Sequence, residues 1–299
     1  MTATDATKPI GADLQELRRP RTSYLGDVWR RLLASTLARV GLAIVLLFIA
    51  AAFLAPVLTP QGPTEQTLIM RLKPPSMEHP FGMDHLGRDV FSRVIYGAQI
   101  SLRIGIVSVM LGLVFGTVLG LVAGYLAGWT DTVIMRFMDI MLAFPSTLLA
   151  IAIVAARGPG LDNTILAVGV VAIPIYARIT RGTVLSVKES DYVLAARSLG
   201  AQPFRMMTRH ILPNCLSPII VQATLGFATA VISAAALGFL GLGAQPPTPE
   251  WGAMLADSYQ YLVNAPWALF FPGGAIMLTV LGFNLLGDGL RDALDPRTR

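Results

Sequence analysis

IGIVSVMLGLVFGTVLGLVAGYLAGWT, residues 104–130, contains no Asp, Glu, Lys or Arg. A helix crosses a bilayer with about 20 mostly apolar residues, so this stretch is long enough to span. Glycine recurs at every fourth position: Gly112, Gly116, Gly120, Gly124 and Gly128. Positions four apart share a helix face, so one side of this helix is bare backbone. In lipid that spacing lets a second helix approach closely. Packing within the chain is the preferred reading, and a side turned to a partner subunit or a pore stays open. The glycines lie inside an apolar helix rather than in a strand-to-helix loop, so they do not read as a phosphate cradle.

Five further runs lack those four charged types: residues 40–64, 140–156, 163–177, 210–249 and 258–287. Hydrophobic residues make up 54% of the 299 positions and charged ones 14%, with mean hydropathy +0.62. A soluble domain carries about a quarter charged residues. The chain therefore reads as an all-α, polytopic membrane bundle of six helices. The fourth run is short and holds Pro174, so it must reach the interface through Tyr176 and a snorkelling Arg178. Lysine and arginine concentrate in the N-terminal part, in the segment around residues 178–209 and after residue 290. By the positive-inside rule these parts are cytoplasmic, giving N-in and C-in. The net charge of +5 follows from that asymmetry and does not point to nucleic acid.

In order, residues 1–36 read as a cytoplasmic tail ending in a short surface helix. Residues 37–58 form the first span, stopped by Pro56 and Pro60, and are too deep in the chain for a cleaved signal peptide. Residues 59–101 form an external loop and 102–296 a five-helix core, with 297–299 as the end. Arg136 and Asp139, three apart, are expected to neutralise each other, and Pro145 to kink the third helix. The single cysteine, Cys215, excludes an internal disulfide and reads as packing at a helix start.

A basic island at residues 189–214 interrupts the apolar runs. Ser190 can cap a helix whose first turn holds Asp191, Gly200 can close it in the left-handed region, and Gln202-Pro203 offers a second start. This predicts helix, glycine elbow and second helix, ending at Pro213. Tyr192, Ala196 and Leu199 fall on one face, with Val193 beside them. The bland reading is an amphipathic loop helix on the membrane surface.

Within the island Leu194-Ala195-Ala196, Gly200 and Leu212-Pro213 resemble the EAA loop of ABC importer permeases. Leu194 replaces that motif's glutamate, and His210 stands at a usually aliphatic position. HPFGMDHLGRDVFSRVIYG, residues 79–97, resembles the opening signature of the dipeptide/oligopeptide/nickel importer permeases, with Met83 as a departure. ALGFLGLGAQPPTPEWGAML, residues 236–255, and the run 266–296 resemble the same branch. There Gly238 replaces a usual serine, and Ala234 stands where a carboxylate is common.

The resemblance implies the type I importer permease fold and a place in the bacterial inner membrane. It implies a coupling helix at residues 190–200 that docks into a groove on a cytoplasmic ATPase. Tyr192, Val193, Leu194, Ala195, Ala196, Leu199, Gly200, Leu212 and Pro213 are the candidate coupling residues. The implied partners are a second, homologous permease, two ATPase subunits and an external substrate-binding protein, besides membrane lipid. Peptide is the expected cargo, with nickel and glutathione still open.

The chain's own inventory excludes several chemistries. No lysine follows a glycine, so there is no P-loop; the resemblance implies that ATP and Mg are bound by the partner ATPases. Three histidines, His79, His85 and His210, make no HExxH site. His79, Asp84 and His85 fit no standard metal spacing; Arg88 and Asp89 read instead as a local ion pair that folds the external loop. The alternative of a secondary transporter or channel needs ionisable or polar coupling sites at the midplane, often in repeated halves; the runs hold no Asp, Glu, Lys or Arg, and no matching halves stand out.

Overall fold

The structure, a computed structural model, describes residues 24–59 and 61–294, so the early tail and the last residues lie outside it. Ten helices organise the described chain. They are α1 (Tyr24–Ala34), α2 (Thr36–Leu58), α3 (Val90–Leu126), α4 (Gly128–Ala143) and α5 (Ser146–Arg157). After these come α6 (Leu161–Val187), α7 (Asp191–Ser198), α8 (Pro203–Phe239), α9 (Trp251–Ser258) and α10 (Trp267–Leu294). Among the described residues there is no β-strand, and one isolated bridge joins Met83 to Asp89.

Five helices, α2, α3, α6, α8 and α10, are long and apolar enough to span. The apolar run 140–156 is not a straight span. It breaks at Phe144-Pro145 into α4 and α5, which meet at 93°. Proline lacks the N–H that would continue the helix and forces its predecessor out of the α region. Phe144 accordingly sits extended at φ −86° and ψ 138°.

α3 pairs most extensively with α6, and the glycine face makes this possible. A Cβ on Gly116 would lie 2.5 Å from Tyr176 Cβ and 2.6 Å from the Ile173 carbonyl oxygen, and one on Gly112 2.8 Å from Ala172 Cβ. Gly120 and Gly124 meet Thr180 and Val184 in the same way. Gly128 does not join this seam. It starts α4 at φ +56° with nothing near it, because the helix has already ended at Leu126. A second close seam, between α2 and α10, rests on Gly41 against the Gly282 carbonyl and on Gly289 against Ala38.

The second span begins at Val90, a dozen residues before the expected 102. Asp89 caps it by accepting from the Ser92 N–H at 2.7 Å. Arg103, which bounds the apolar run in sequence, and Arg93 before it lie inside the helix, and the loop shrinks to 59–89. α2 ends at Leu58, the expected boundary, with Pro56 inside its last turn, and Pro60 lies outside the described residues. The carbonyl that Pro56 cannot bond, four residues back at Ala52, accepts from the Gln99 side-chain amide at 2.7 Å.

α6 extends well past the predicted 163–177, and its cations are paired. Arg178 bonds Asp139 at 2.5 Å, and Arg181 grips Asp131 with two nitrogens at 2.5 and 2.6 Å. The expected Arg136–Asp139 pair therefore does not form. The acid reaches across to the neighbouring helix, where the cation lies closer than one on its own face. Cys215 is fully buried near the start of the apolar part of α8.

Candidate functional site: an exposed elbow, a membrane cavity and a buried charge cluster

The elbow stands at the end of the bundle where α6 leaves it. Ser190 precedes α7, but its hydroxyl makes no cap bond; it donates to the Val187 carbonyl at 2.6 Å and ties the elbow to α6. Gly200 takes φ +79°, and the Ala201 N–H reaches back to the Ala196 carbonyl at 3.1 Å. That six-to-one bond with a left-handed residue is a Schellman-type stop. Pro203 then opens α8 at its first position. The second helix does not end at Pro213. A π-helical turn over Met206–Ile211 bonds the Leu212 N–H to the Met207 carbonyl, five residues back. The wider turn admits Pro213, and α8 runs on into the bundle.

The expected face of α7 is divided. Val193 (4% exposed) and Ala196 turn inward onto Leu121, Val184, Met206, Ile211 and Cys215. Tyr192, Leu194, Ala195 and Leu199 turn outward, and Leu199 is 89% exposed. The Tyr192 hydroxyl donates to the His210 carbonyl at 3.4 Å. An open groove lined by Leu199, Gly200, Arg205 and His210 adjoins them. Of the motif's trailing pair, Leu212 is half-buried and Pro213 exposed. The structure thus presents an apolar ridge anchored from behind by Val193.

Between α3, the α4–α5 bend, α6 and α8 lies a cavity of about 170 Å³. Its α8 wall carries Gln222, Gly226, Thr229 and Ser233, and Ser146 and Thr147 stand on the α5 side.

At the far end of the bundle a buried charge cluster joins two loops. Arg88 and Asp89 do not pair with each other. Arg88 Nε donates to Asp84 Oδ2 at 2.6 Å and its Nη2 to Asp257 at 3.4 Å, while Asp89 Oδ1 lies 3.1 Å from His79 Nδ1. Arg93, 2% exposed, donates to the carbonyls of Pro63 (3.0 Å) and Pro247 (3.3 Å). Trp251 packs over Gly97 and donates its indole N–H to the Val94 carbonyl at 3.0 Å. Sequence reading missed Arg93, Asp257 and Trp251, since each acts on a partner more than 150 positions away in the chain or in another loop.

Glu250 caps α9, its two oxygens accepting from the Gly252 and Ala253 N–H groups at 2.8 Å each. It lies against Gly238, where a side chain would collide with Oε2, so the glycine leaves room for the acid. Burial pushes the Glu250 carboxyl up to about 7 from an ordinary 4.5, against the pull of its two backbone bonds. The folded protein therefore holds a proton there between pH 4.5 and 7 that the unfolded chain releases. Stability from this group is full below 4.5 and falls as pH rises through 7, by about 3 kcal/mol at most. Glu250→Gln should remove that slope, so the melting temperature of the variant gains on the parent between pH 5 and pH 8. The cap bond that the amide cannot make shifts both values alike. Parallel pH profiles would refute the assignment.

The family model described as "Binding-protein-dependent transport system inner membrane component" matches residues 116–299, more than half the chain. The chain belongs to that family. A model of the N-terminal transmembrane domain of oligopeptide transport permease C matches residues 23–75 of the permease. A dipeptide transport system permease protein DppC from Alkalihalophilus pseudofirmus is 50% identical over 301 residues, covering 99% of each chain. A di/tripeptide transport system permease protein DppC from Pseudomonas aeruginosa is 49% identical over 283 residues, 93% of each. Among solved structures, an inward-facing MetNI methionine ABC transporter chain aligns with TM-score 0.57 at 20% identity, over 69% of the permease and 97% of that chain. The permease thus has the type I importer fold. It is a multi-pass component of the bacterial inner membrane in a transport system that works with a binding protein.

Proposed function

We propose that the permease forms half of the translocation path of an ATP-driven peptide importer and is driven through α7. The observation that carries the coupling role is the outward ridge of Tyr192, Leu194 and Leu199 on a short helix anchored by Val193. An apolar side chain as exposed as Leu199 gains nothing within its own chain. It gains burial when a partner covers it, by about 25 cal/mol per Å². Two cytoplasmic ATPase subunits, which bind ATP and Mg, would close and push the elbow. α7 is continuous with α6 through Val187 and with α8 through the Gly200 turn, so a push there reaches two spanning helices as rigid bodies. A second homologous permease completes the path, and an external binding protein delivers cargo. Peptide is the cargo proposed, on the strength of the relatives named for dipeptide and di/tripeptide transport.

The test uses the complex recovered through a tag on the permease. Leu199→Arg should reduce co-purified ATPase about tenfold or more, the equivalent of ~1.4 kcal/mol, and abolish dipeptide uptake. Its melting temperature should stay at the parent's, because no atom of the bundle rests on Leu199. ATPase recovered in full with normal uptake would remove the coupling role.

A further inference from the structure

The membrane cavity carries a pattern that helix packing does not account for. On α8, Gln222, Gly226, Thr229 and Ser233 fall at i, i+4, i+7 and i+11, one stripe of a helix, and all four line the cavity. Ser146 and Thr147, just past the α4–α5 bend, are also in its lining. Thr229 reaches only the Leu225 carbonyl, at 3.5 Å. The Gln222 amide and the Ser233, Ser146 and Thr147 hydroxyls bond to no other group among the described residues. On α8 outside the stripe, Thr224 donates to the Ile220 carbonyl at 3.1 Å, and across the cavity Ser108, also in the lining, donates to the Ile165 carbonyl at 3.0 Å.

Unpaired hydrogen-bonding groups at membrane depth cost several kcal/mol each against lipid tails. They are stable where water or a polar solute reaches them. The cavity has no Asp, Glu, Lys, Arg or His in its lining, and its remaining wall is mostly apolar, with Val168, Ala172, Ile175 and Leu237, while the Ser108 and Tyr176 hydroxyls there are bonded to backbone carbonyls.

From this we infer that the α8 stripe is the solute-contacting wall of the path, and that it reads short peptides through their backbone amides. This rests on the importer reading above. A side-chain amide and hydroxyls offer both donors and acceptors, matching the N–H and C=O of a peptide bond. A lining without fixed charge neither attracts nor repels a charged peptide side chain, so peptides of different side-chain charge are accommodated by the same wall.

The experiment uses the whole complex in proteoliposomes, with Cys215→Ala as the cysteine-free parent and Ser233→Cys or Gln222→Cys added singly. The probe is a charged, membrane-impermeant methanethiosulfonate, with excess dialanine as protectant. The expected result is labelling of both thiols, at least fivefold slower with dialanine, and loss of dialanine uptake after labelling. Gln222→Leu, unlabelled, should lower uptake of neutral, acidic and basic dipeptides by a similar factor while ATPase remains bound. Reaction with lipophilic N-ethylmaleimide alone would mean a lipid-facing stripe, and a disulfide to the partner permease would mean a subunit interface. Either result overturns the inference while dialanine uptake by the parent leaves the importer reading standing. A parent that takes up no peptide overturns both.

Discussion

Gly120→Leu should leave little folded permease, with a melting temperature at least ~6–12 °C below the parent. The seam between α3 and α6 is built backbone to backbone. A Cβ on Gly120 would lie 2.8 Å from Thr180 Cβ and 3.0 Å from the Arg181 nitrogen, with the Ala177 carbonyl closer still. Two of these three neighbours are backbone atoms, so no rotamer change relieves the clash and the helices must separate. Overpacking of well-packed sites costs ~1–3 kcal/mol. Leucine adds more than one methyl here, so ~3 kcal/mol is the lower end. For a chain of this size each kcal/mol is about 2–4 °C. Separation also strains the Arg181–Asp131 pair, which bridges α6 to α4 one residue from the contact. Gly182→Leu supplies the control: that glycine is on α6, the other helix of the seam, with nothing within 4 Å of a Cβ. Thermal unfolding in detergent, followed by tryptophan fluorescence, measures both. Equal melting of the two variants would show that the glycine face is not the contact that holds α3 to α6.

That seam was open to sequence reading because its cause is local. A period of four within one apolar run specifies a face, and only a helix can pack against bare backbone in lipid. The same rule overreached at Gly128, where the period continues in the letters after the helix has stopped at Leu126. The Gly200 stop and the Pro203 start were legible for the same local reason, being conformational preferences of single residues. What escaped depends on partners distant in sequence. Arg93 falls in the predicted external loop, yet it lies in α3, with Asp84 and two loop carbonyls receiving its charge. Asp139 has Arg136 on its own face, and the fold gives it Arg178. The orientation of α7 was misjudged at Ala196, since eight residues define an apolar face poorly. Val193, buried against Met206 and Ile211, settles which way the helix turns. The α8 stripe left no signal in apolar-run counting, because Gln, Ser and Thr carry no charge and pass as filler in a span.

Arg93→Leu should destabilise the permease by about 3–5 kcal/mol, comparable with the glycine change but acting from the opposite end of the bundle. The guanidinium is 2% exposed and joins two loops far apart in the chain. Nη1 donates to Pro63, in the loop after α2, and to Pro247, in the loop before α9, while Nε stands 3.7 Å from Asp84 Oδ2. Leucine fills much of the volume but leaves two carbonyls without that donor and leaves Asp84 held by Arg88 and the Leu86 N–H. Arg93→Lys should recover part of the loss, since an ammonium keeps the charge but lacks the planar fork that spans both loops. Arg103→Leu is the comparison, ten residues along the same helix. Its side chain is 59% exposed and 3.7 Å from Asp162, so its removal should cost no more than ~1 kcal/mol. Because the damage is a parting of loops, limited proteolysis should cut the 61–89 segment faster in Arg93→Leu than in either other variant, alongside the fall in melting temperature. If Arg93→Leu melted with Arg103→Leu and resisted protease like the parent, the buried guanidinium would not be what fastens the two loops together.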